Sequence, residues 1–461
     1  MKILFASAEV DPFAKVGGLA DVASALPRRL FEMGHDVRVI TPCHASSLTA
    51  FHDGEAPVEL MVNSPDGARR VGVATRTGTG GVPVQLVLDD EFFGRPAVYG
   101  EGDDLHRYQF FCRAVIETLR RDDWIPDILH INDWHTAPLA FALRNLAWGD
   151  RALRGIASVF AIHNLRYRGP DELNDMVCQA VYYSDMVTTV SPTYAREILT
   201  PEHGEGLDSL LQMRASSGAL VGILNGLDYD LYNPRTDSHI SRQFDLSSLE
   251  GRAANREALR AEFKLPPSSG PLAAMVTRLT EQKGIDLVLQ TLPEILSSGG
   301  QLLVLGDGDE ALTAELTRLQ AEHPDSVRLA ARFDDGLARQ IYAGCDVFLM
   351  PSRFEPCGLG QLMAMRYGAV PIGRRTGGIA DTVLDAADHG EHATGFLFDD
   401  FNSSAFAAAF ERAVVAFHRQ DVWQGLQLNG MSRDYSWGAS ASRYVEVYLA
   451  ALRSRGIVPL E

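Results

Sequence analysis

The chain has 461 residues, 46% hydrophobic and 22% charged, which is the composition of a soluble globular protein too long for one ordinary core. Its formal net charge of -18 argues against a nucleic-acid partner, which is bound by neutralising phosphates with Lys and Arg, yet leaves room for a small anion held by a few local cations or for a neutral polymer. No run approaches the ~20 apolar residues of a membrane span. The chain opens directly into a strand pattern rather than a basic, apolar and cleavable leader. The five cysteines, Cys43, Cys112, Cys178, Cys345 and Cys357, form no Cys-x-x-Cys pair, so a reduced, cytoplasmic protein without a membrane partner is expected.

Residues 2–8 read as a buried strand, and the chain then passes Lys15, Gly17 and Gly18 before a helix over 20–33 and a strand over 36–41. Glycines at a strand-to-helix junction let backbone approach a ligand, and Lys15 adds a mobile charge; the pair reads either as a plain turn or as a phosphate or sugar site. The fingerprint G-x-G-x-x-G is absent here, which sets a nicotinamide dehydrogenase aside. Residues 53–88 hold Gly-rich alternating segments expected as short antiparallel strands, and 103–121 a helix with Asp103 or Asp104 at its N-cap. The run DILHINDWHTAPL from Asp127 goes from strand to helix. His130 and His135 lack zinc spacing and a nearby third ligand, so His130 is expected as a hydrogen-bonded residue near a strand end and His135, at a carboxyl strand edge, as the better site candidate. Strands at 157–162, 186–190 and 220–224, helices opened by Ser191-Pro192 and by Gly204, and a further helix over 173–183 complete a doubly wound alternation that closes at Asn225 and Gly226.

Residues 229–250 turn polar and irregular, as a crossover does, and after a helix over 249–263 the stretch LPPSSGP from Leu265 reads as a linker. The alternation restarts with strands at 272–277, 301–305, 327–330 and 347–350 and helices at 284–297, 310–322 and 335–343. After the first of these strands, Arg278 and Lys283 share a loop and can reach one anion, Arg as a planar fork and Lys as a point charge; a solvated basic loop is the other reading. Asp307, Gly308 and Asp309 read as a tight turn without catalytic weight, and His389 and His392 as exposed. After the last strand a loop carries Glu355, Pro356, Cys357 and Gly358 into a helix from Leu359. One carboxylate beside a helix start, with its free N–H groups and positive dipole end, suggests a sugar-phosphate site. The expected organisation is α/β: a Rossmann-like domain over 1–226, a second over 227–437, the two facing across a cleft, and a C-terminal helix in 438–461 packing back on the first.

The ordered set KVGGLAD from Lys15, HINDWH from His130, HNLRY from His163, LNGLD from Leu224, RLTEQKG from Arg278, FEPCGL from Phe354 and RRTGG from Arg374 resembles the bacterial glycogen synthases and plant starch synthases, two-lobed retaining glucosyltransferases of the GT-B fold. The resemblance covers nearly the whole chain and implies transfer of glucose from ADP-glucose to the non-reducing end of an α-1,4-glucan, with no metal or other cofactor; another nucleotide sugar such as UDP-glucose, or a small acceptor, is the alternative. By position it implies that Lys15, with Gly17 and Gly18, contacts the donor diphosphate, and that Arg278 and Lys283 hold the departing phosphate. Glu355 would bond hydroxyls of the donor glucose, and the amides of Cys357, Gly358 and Leu359 would cradle sugar and phosphate. His135 would touch the glucose, Asp103 would lie on the acceptor side, Asn225 near the hinge, and Thr376 beside Gly377 in the phosphate pocket. Three departures stand out: a short segment after Gly169, where the family carries a longer insert on the acceptor side, Gly360 where Thr or Asn is common, and Asp104 in place of the family's Asn beside Asp103.

Overall fold

The computed structural model describes residues 1–47, 56–65, 67–146, 149–169 and 175–457. The chain divides into two compact units, one made of Met1–Gly226 with Trp437–Glu461 and the other of Leu227–Ser436.

Among its described residues the first unit holds nine strands: β1 (Lys2–Ala6), β2 (Asp36–Pro42), β3 (Val58–Ser64), β4 (Gly67–Thr77), β5 (Pro83–Leu88), β6 (Ile128–Asn132), β7 (Ala157–Ile162), β8 (Met186–Thr189) and β9 (Leu220–Gly222). Their order is β3-β4-β5-β2-β1-β6-β7-β8-β9, with β3, β4 and β5 antiparallel and every other pairing parallel. The sequence shows why: β6 and β7 are buried along their whole length, as a parallel strand covered by helices on both faces must be, and are apolar but for His130, Asn132 and Ser158, whereas β3 alternates inward Leu60 and Val62 with outward Glu59 and Met61. The helix Trp437–Ser454 places Trp437, Ala441, Tyr444, Tyr448 and Ala451 on one stripe, and that stripe packs into the core of this unit with Ile3 and Phe5. Tyr448 OH and His130 Nδ1 lie 2.7 Å apart within that core, so His130 is a hydrogen-bonded core residue.

The second unit is an all-parallel sheet of six strands, β10 (Leu272–Val276), β11 (Gln301–Leu305), β12 (Val327–Ala330), β13 (Val347–Met350), β14 (Val370–Arg374) and β15 (Phe396–Phe398), in the order β12-β11-β10-β13-β14-β15. Alternate residues feed separate cores on its two faces: Ala274, Leu303 and Phe348 on one, Ala273, Leu302 and Val347 on the other. In each unit the strand order reverses beside the first strand, between β1 and β6 and between β10 and β13. Crevices at such switch points, outside the carboxyl ends of the strands, are where open α/β sheets bind ligands.

Three expectations differ from what is observed. The helix expected over 284–297 is two, Ile285–Gln290 and Leu292–Ser297, because Pro293 has no N–H for the preceding turn and its ring crowds that turn's carbonyl. The helix expected from Gly204 begins at Asp208, since Glu205 and Gly206 adopt positive φ and make a turn instead. Asp103 stands at the N-cap of the helix Asp104–Arg121 without capping it, its carboxylate being turned to Arg95. The starts of the segments expected at 53 and 173, and the stretch just after Gly169, lie outside the described residues.

The chain passes between units at 226/227 and again at 436/437. Leu227 N–H donates to Tyr435 O at 2.7 Å and pairs with Ser436 in a parallel bridge, so the outgoing and returning strands run side by side. Gly226 is required there: a Cβ would sit 2.5 Å from Trp437 Cα.

Candidate active site

In the second unit, Glu355 follows β13 and is 6% exposed. Its Oε2 accepts from Lys283 Nζ at 2.7 Å and from Ser352 Oγ at 2.9 Å. Two hydrogen bonds on one oxygen, a charge-assisted one that is part-buried and a buried one from the hydroxyl, fix the carboxylate and leave Oε1 unengaged by either donor. Lys283 reaches Glu355 because the loop after β10 lies on the loop after β13. Gly284 has φ 68°, and a Cβ there would lie 2.0 Å from Pro351 O, while Gln282 donates from Nε2 to Phe354 O and accepts from Arg353 N–H. Arg278, earlier in the same loop, is exposed, and no partner for its guanidinium occurs among the described residues.

The turn through Asp307, Gly308 and Asp309 is the brace of that loop. Leu279 N–H donates to Asp307 O at 2.9 Å and Asp309 N–H to Leu279 O at 2.8 Å. A Cβ on Gly306 would meet Thr277 O at 1.8 Å. Asp309 meanwhile caps the helix Glu310–Glu322 through Ala311 and Leu312 N–H.

A second pair of loops is welded by glycine. A Cβ on Gly377 would lie 2.0 Å from Glu355 O, and one on Gly378 would lie 1.8 Å from Cys357 O. Gly378 N–H donates to Glu355 O at 3.1 Å. Thr376 is buried at the start of the helix Gly377–Thr382. Gln361, fully buried, donates from Nε2 to the carbonyls of Cys357 and Gly358 and to Thr382 Oγ1, which in turn donates to Gly378 O. Sequence reasoning missed Ser352 and Gln361; the signal for Gln361 is an amide in the first turn of a helix with an otherwise apolar inner face. Gly360 opens the helix Gly360–Arg366, and a Cβ on it would stand 3.0 Å from the ring of Phe348, a tight contact that the ring would have to relieve by a small shift.

In the first unit, Lys15, Gly17 and Gly18 form the loop after β1 and the start of the helix Gly18–Glu32. Lys15 Nζ donates to Asp21 Oδ1 at 2.6 Å. His135 follows β6 on the short helix Asp133–Thr136. It is 5% exposed, stacked on Trp134 at 4.0 Å between ring centroids and flanked by Tyr99 and Tyr108. Neither ring nitrogen has a hydrogen-bond partner among the described residues. Burial, helped by His44, pushes its pKa down to about 3, so the ring is neutral and offers one donor and one acceptor. Beside it Asp133 holds a positive φ of 52° and accepts from His163 N–H at 2.7 Å; burial raises its carboxyl to about 7, only partly offset by that bond and one from Asn164. A non-glycine residue kept in the left-handed region at a switch point is strain of the kind found at functional sites, and it cannot be read from composition.

Asp103 pairs with Arg95 at 2.8 Å; burial pulls its carboxyl up, and the Arg95 contact more than compensates, leaving it below the usual range. Asn225, just after β9, is 6% exposed, and its Oδ1 has no partner among the described residues. The expected residues thus fall into two groups, one at each sheet's switch point, with Asp103 and Asn225 outside both. Among the described residues no group of three or more His, Cys, Asp or Glu is placed to hold a metal ion.

Two Rossmann-type units in one chain, with polar residues gathered at the carboxyl ends of the central strands, are the architecture of a GT-B glycosyltransferase. The family model "Starch synthase catalytic domain" matches residues 2–213, and "Glycosyl transferases group 1" matches residues 270–415. The chain is 40% identical to a glycogen synthase of Geotalea uraniireducens over 99% of this chain and 100% of that one, and 42% identical to glycogen synthase 2 of Geobacter sulfurreducens over 99% and 100%. A solved structure of the catalytic domain of starch synthase IV from Arabidopsis thaliana, bound to ADP and acarbose, superposes with a TM-score of 0.89 at 34% identity, covering 98% of this chain and 99% of that one. The chain belongs to the glycogen synthase family of glucosyltransferases.

Proposed function

We propose that the protein transfers glucose from ADP-glucose to the non-reducing end of an α-1,4-glucan with retention of configuration, releasing ADP. The observation that carries this reading is the buried Glu355 carboxylate bonded to Lys283 at 2.7 Å, with Arg278 in the same loop as Lys283, at the switch point of the second unit. Breaking the glucosyl–phosphate bond puts positive charge on the sugar and negative charge on the diphosphate. Lys283 spends one of its three donors on Glu355 and keeps two for the departing phosphate, and Arg278 adds a planar fork. Fixed cations at the developing charge lower the barrier because they need no reorganisation when it forms. Glu355 holds glucose hydroxyls, and the amides of Cys357, Gly358 and Leu359, kept in place by Gln361, take the remaining sugar and phosphate oxygens, with Thr376 and Gly377 behind them.

In the first unit Lys15, Gly17 and Gly18 serve the diphosphate, and the neutral, unpartnered His135 ring is suited to a sugar hydroxyl. Asp103 and Asn225 serve the acceptor side and the hinge. The acceptor hydroxyl attacks from the face the diphosphate leaves, its proton passing to the departing phosphate oxygen, so that a glycosidic C–O bond replaces the glucosyl–phosphate bond and configuration is kept. The ADP held by the Arabidopsis relative supports an adenine nucleotide. ADP-, UDP- and GDP-glucose offered with and without glycogen test the proposal. Release of nucleoside diphosphate with ADP-glucose and glycogen together is expected; turnover confined to another donor overturns it. Because the charge is supplied by Arg278 and Lys283, the rate is expected to be the same with and without EDTA.

A further inference from the structure

The loop that carries Lys15, Gly17 and Gly18 is shaped by a residue that the donor-binding reading leaves without a task. Glu9 lies just beyond β1 and is 1% exposed. One carboxylate oxygen, Oε2, accepts from both Val16 N–H at 2.5 Å and Gly17 N–H at 3.1 Å. The other, Oε1, accepts from Tyr99 OH at 3.4 Å, and the Tyr99 ring lies 5.0 Å from that of His135. Burial raises the Glu9 carboxyl above its usual range, against the pull of those two amides.

The rest of the loop is pegged independently: Ala14 N–H donates to Val10 O, Ser46 and Ser47 donate to Phe13 O, and Asp11 N–H donates to Ala20 O. Those bonds hold residues 10–14 and stop short of Lys15 to Gly17. Among the described residues the acceptor for Val16 and Gly17 N–H is Glu9, and it reaches them because its side chain is long enough to span from the end of β1. Gly17 then enters the helix Gly18–Glu32 from an extended conformation, φ -147°, and its carbonyl accepts from Ala20 N–H at 3.3 Å.

We propose that Glu9 is the positioning residue of the donor-phosphate loop: its single oxygen on Val16 and Gly17 sets where Lys15 and the Gly18 helix start stand. This rests on the reading of Lys15 as a diphosphate contact. What matters is reach and an acceptor oxygen, not charge. A glutamine keeps the span and one carbonyl oxygen able to take both amides; an aspartate keeps the charge and loses one methylene of reach.

The full chain is the material for the test, with ADP affinity by calorimetry and steady-state kinetics as readouts. Glu9→Asp and Glu9→Ala are expected to weaken ADP binding and raise KM for ADP-glucose about tenfold or more, with KM for glycogen within about twofold, while Glu9→Gln stays within about threefold of the parent throughout. A retained Glu9→Asp and a weakened Glu9→Gln would overturn the proposal in favour of a charge effect. A loss of thermal stability in Glu9→Asp without change in ADP affinity would reduce Glu9 to a structural residue. Lys15→Ala separates the two levels: if it leaves ADP affinity unchanged, the reading of the loop fails; if it weakens ADP while Glu9→Asp does not, only the proposal for Glu9 fails. Should Glu9→Ala not fold, the Asp and Gln pair decides alone.

Discussion

Two hydrogen bonds to one oxygen make Glu355 the most constrained titratable group of the second unit's switch point. Glu355→Ala removes the acceptor of Lys283 and Ser352 together and frees the lysine to move; turnover measured by ADP release is expected to fall by about 10³ or more, with the fold, followed by circular dichroism, retained. His135 makes a different prediction. Its pKa is pushed down to about 3, far below the ordinary value, so it does not titrate between pH 5 and 8. His135→Phe is expected to cost activity at every pH in that range and to leave the shape of the pH–rate profile unchanged; a shifted limb would show that the ring ionises during turnover. The placement of Glu355, Arg278 and Lys283 at strand exits was legible in the sequence, because apolar runs mark where the strands end. Glu9, Asp133 and Gln361 were not, because their importance lies in backbone amides and dihedral angles that only the fold brings to them.

At the scale of elements, glycine does the joining. Gly284 combines φ 68° with a Cβ position 2.0 Å from Pro351 O, so Gly284→Ala must part the Lys283 loop from the Glu355 loop. A loss of about 3 kcal/mol in urea unfolding and a much larger proportional loss of turnover are expected. In the first unit, Tyr448→Phe on the C-terminal helix leaves His130 Nδ1 without its partner in the core, at a cost of ~1–3 kcal/mol, with kinetics preserved, since neither side chain belongs to the switch point. Strand positions were readable from apolar runs, and β7, β11, β12 and β13 fall where the pattern places them. The break at Pro293 was equally visible as a residue, yet apolar periodicity on both sides of it masks the interruption. The brace through Asp307, Gly308 and Asp309 reads as an ordinary turn until Leu279 is found bonded across it.

For the molecule as a whole, acid is expected to act first on one unit. His44 and His163 are held near 4 and His135 near 3, mainly by burial, and all three lie in Met1–Gly226. A histidine whose folded pKa is depressed binds its proton more readily when unfolded, so the stability present above pH ~6.5 is lost as the pH falls toward 4, by ~3 kcal/mol apiece for His44 and His163. Asp133, raised to about 7, acts in the opposite sense, gaining stability as the pH falls from 7 toward 4, and Glu9 shares that sign. The histidines outnumber the carboxyls, so hydrogen exchange corrected for intrinsic rate should show protection lost in peptides of the first unit between pH 7 and 5 before those of Leu227–Ser436; the reverse order would contradict it. The paired crossing at Leu227 and Ser436 has one more consequence, in time rather than space. A ribosome releases the first 226 residues before the helix Trp437–Ser454 that supplies Trp437, Tyr444 and Tyr448 to their core, whereas Leu227–Ser436 emerges uninterrupted. Leu227–Ser436 is therefore able to finish folding first, and Met1–Gly226 waits for the helix Trp437–Ser454 to be made before its core closes.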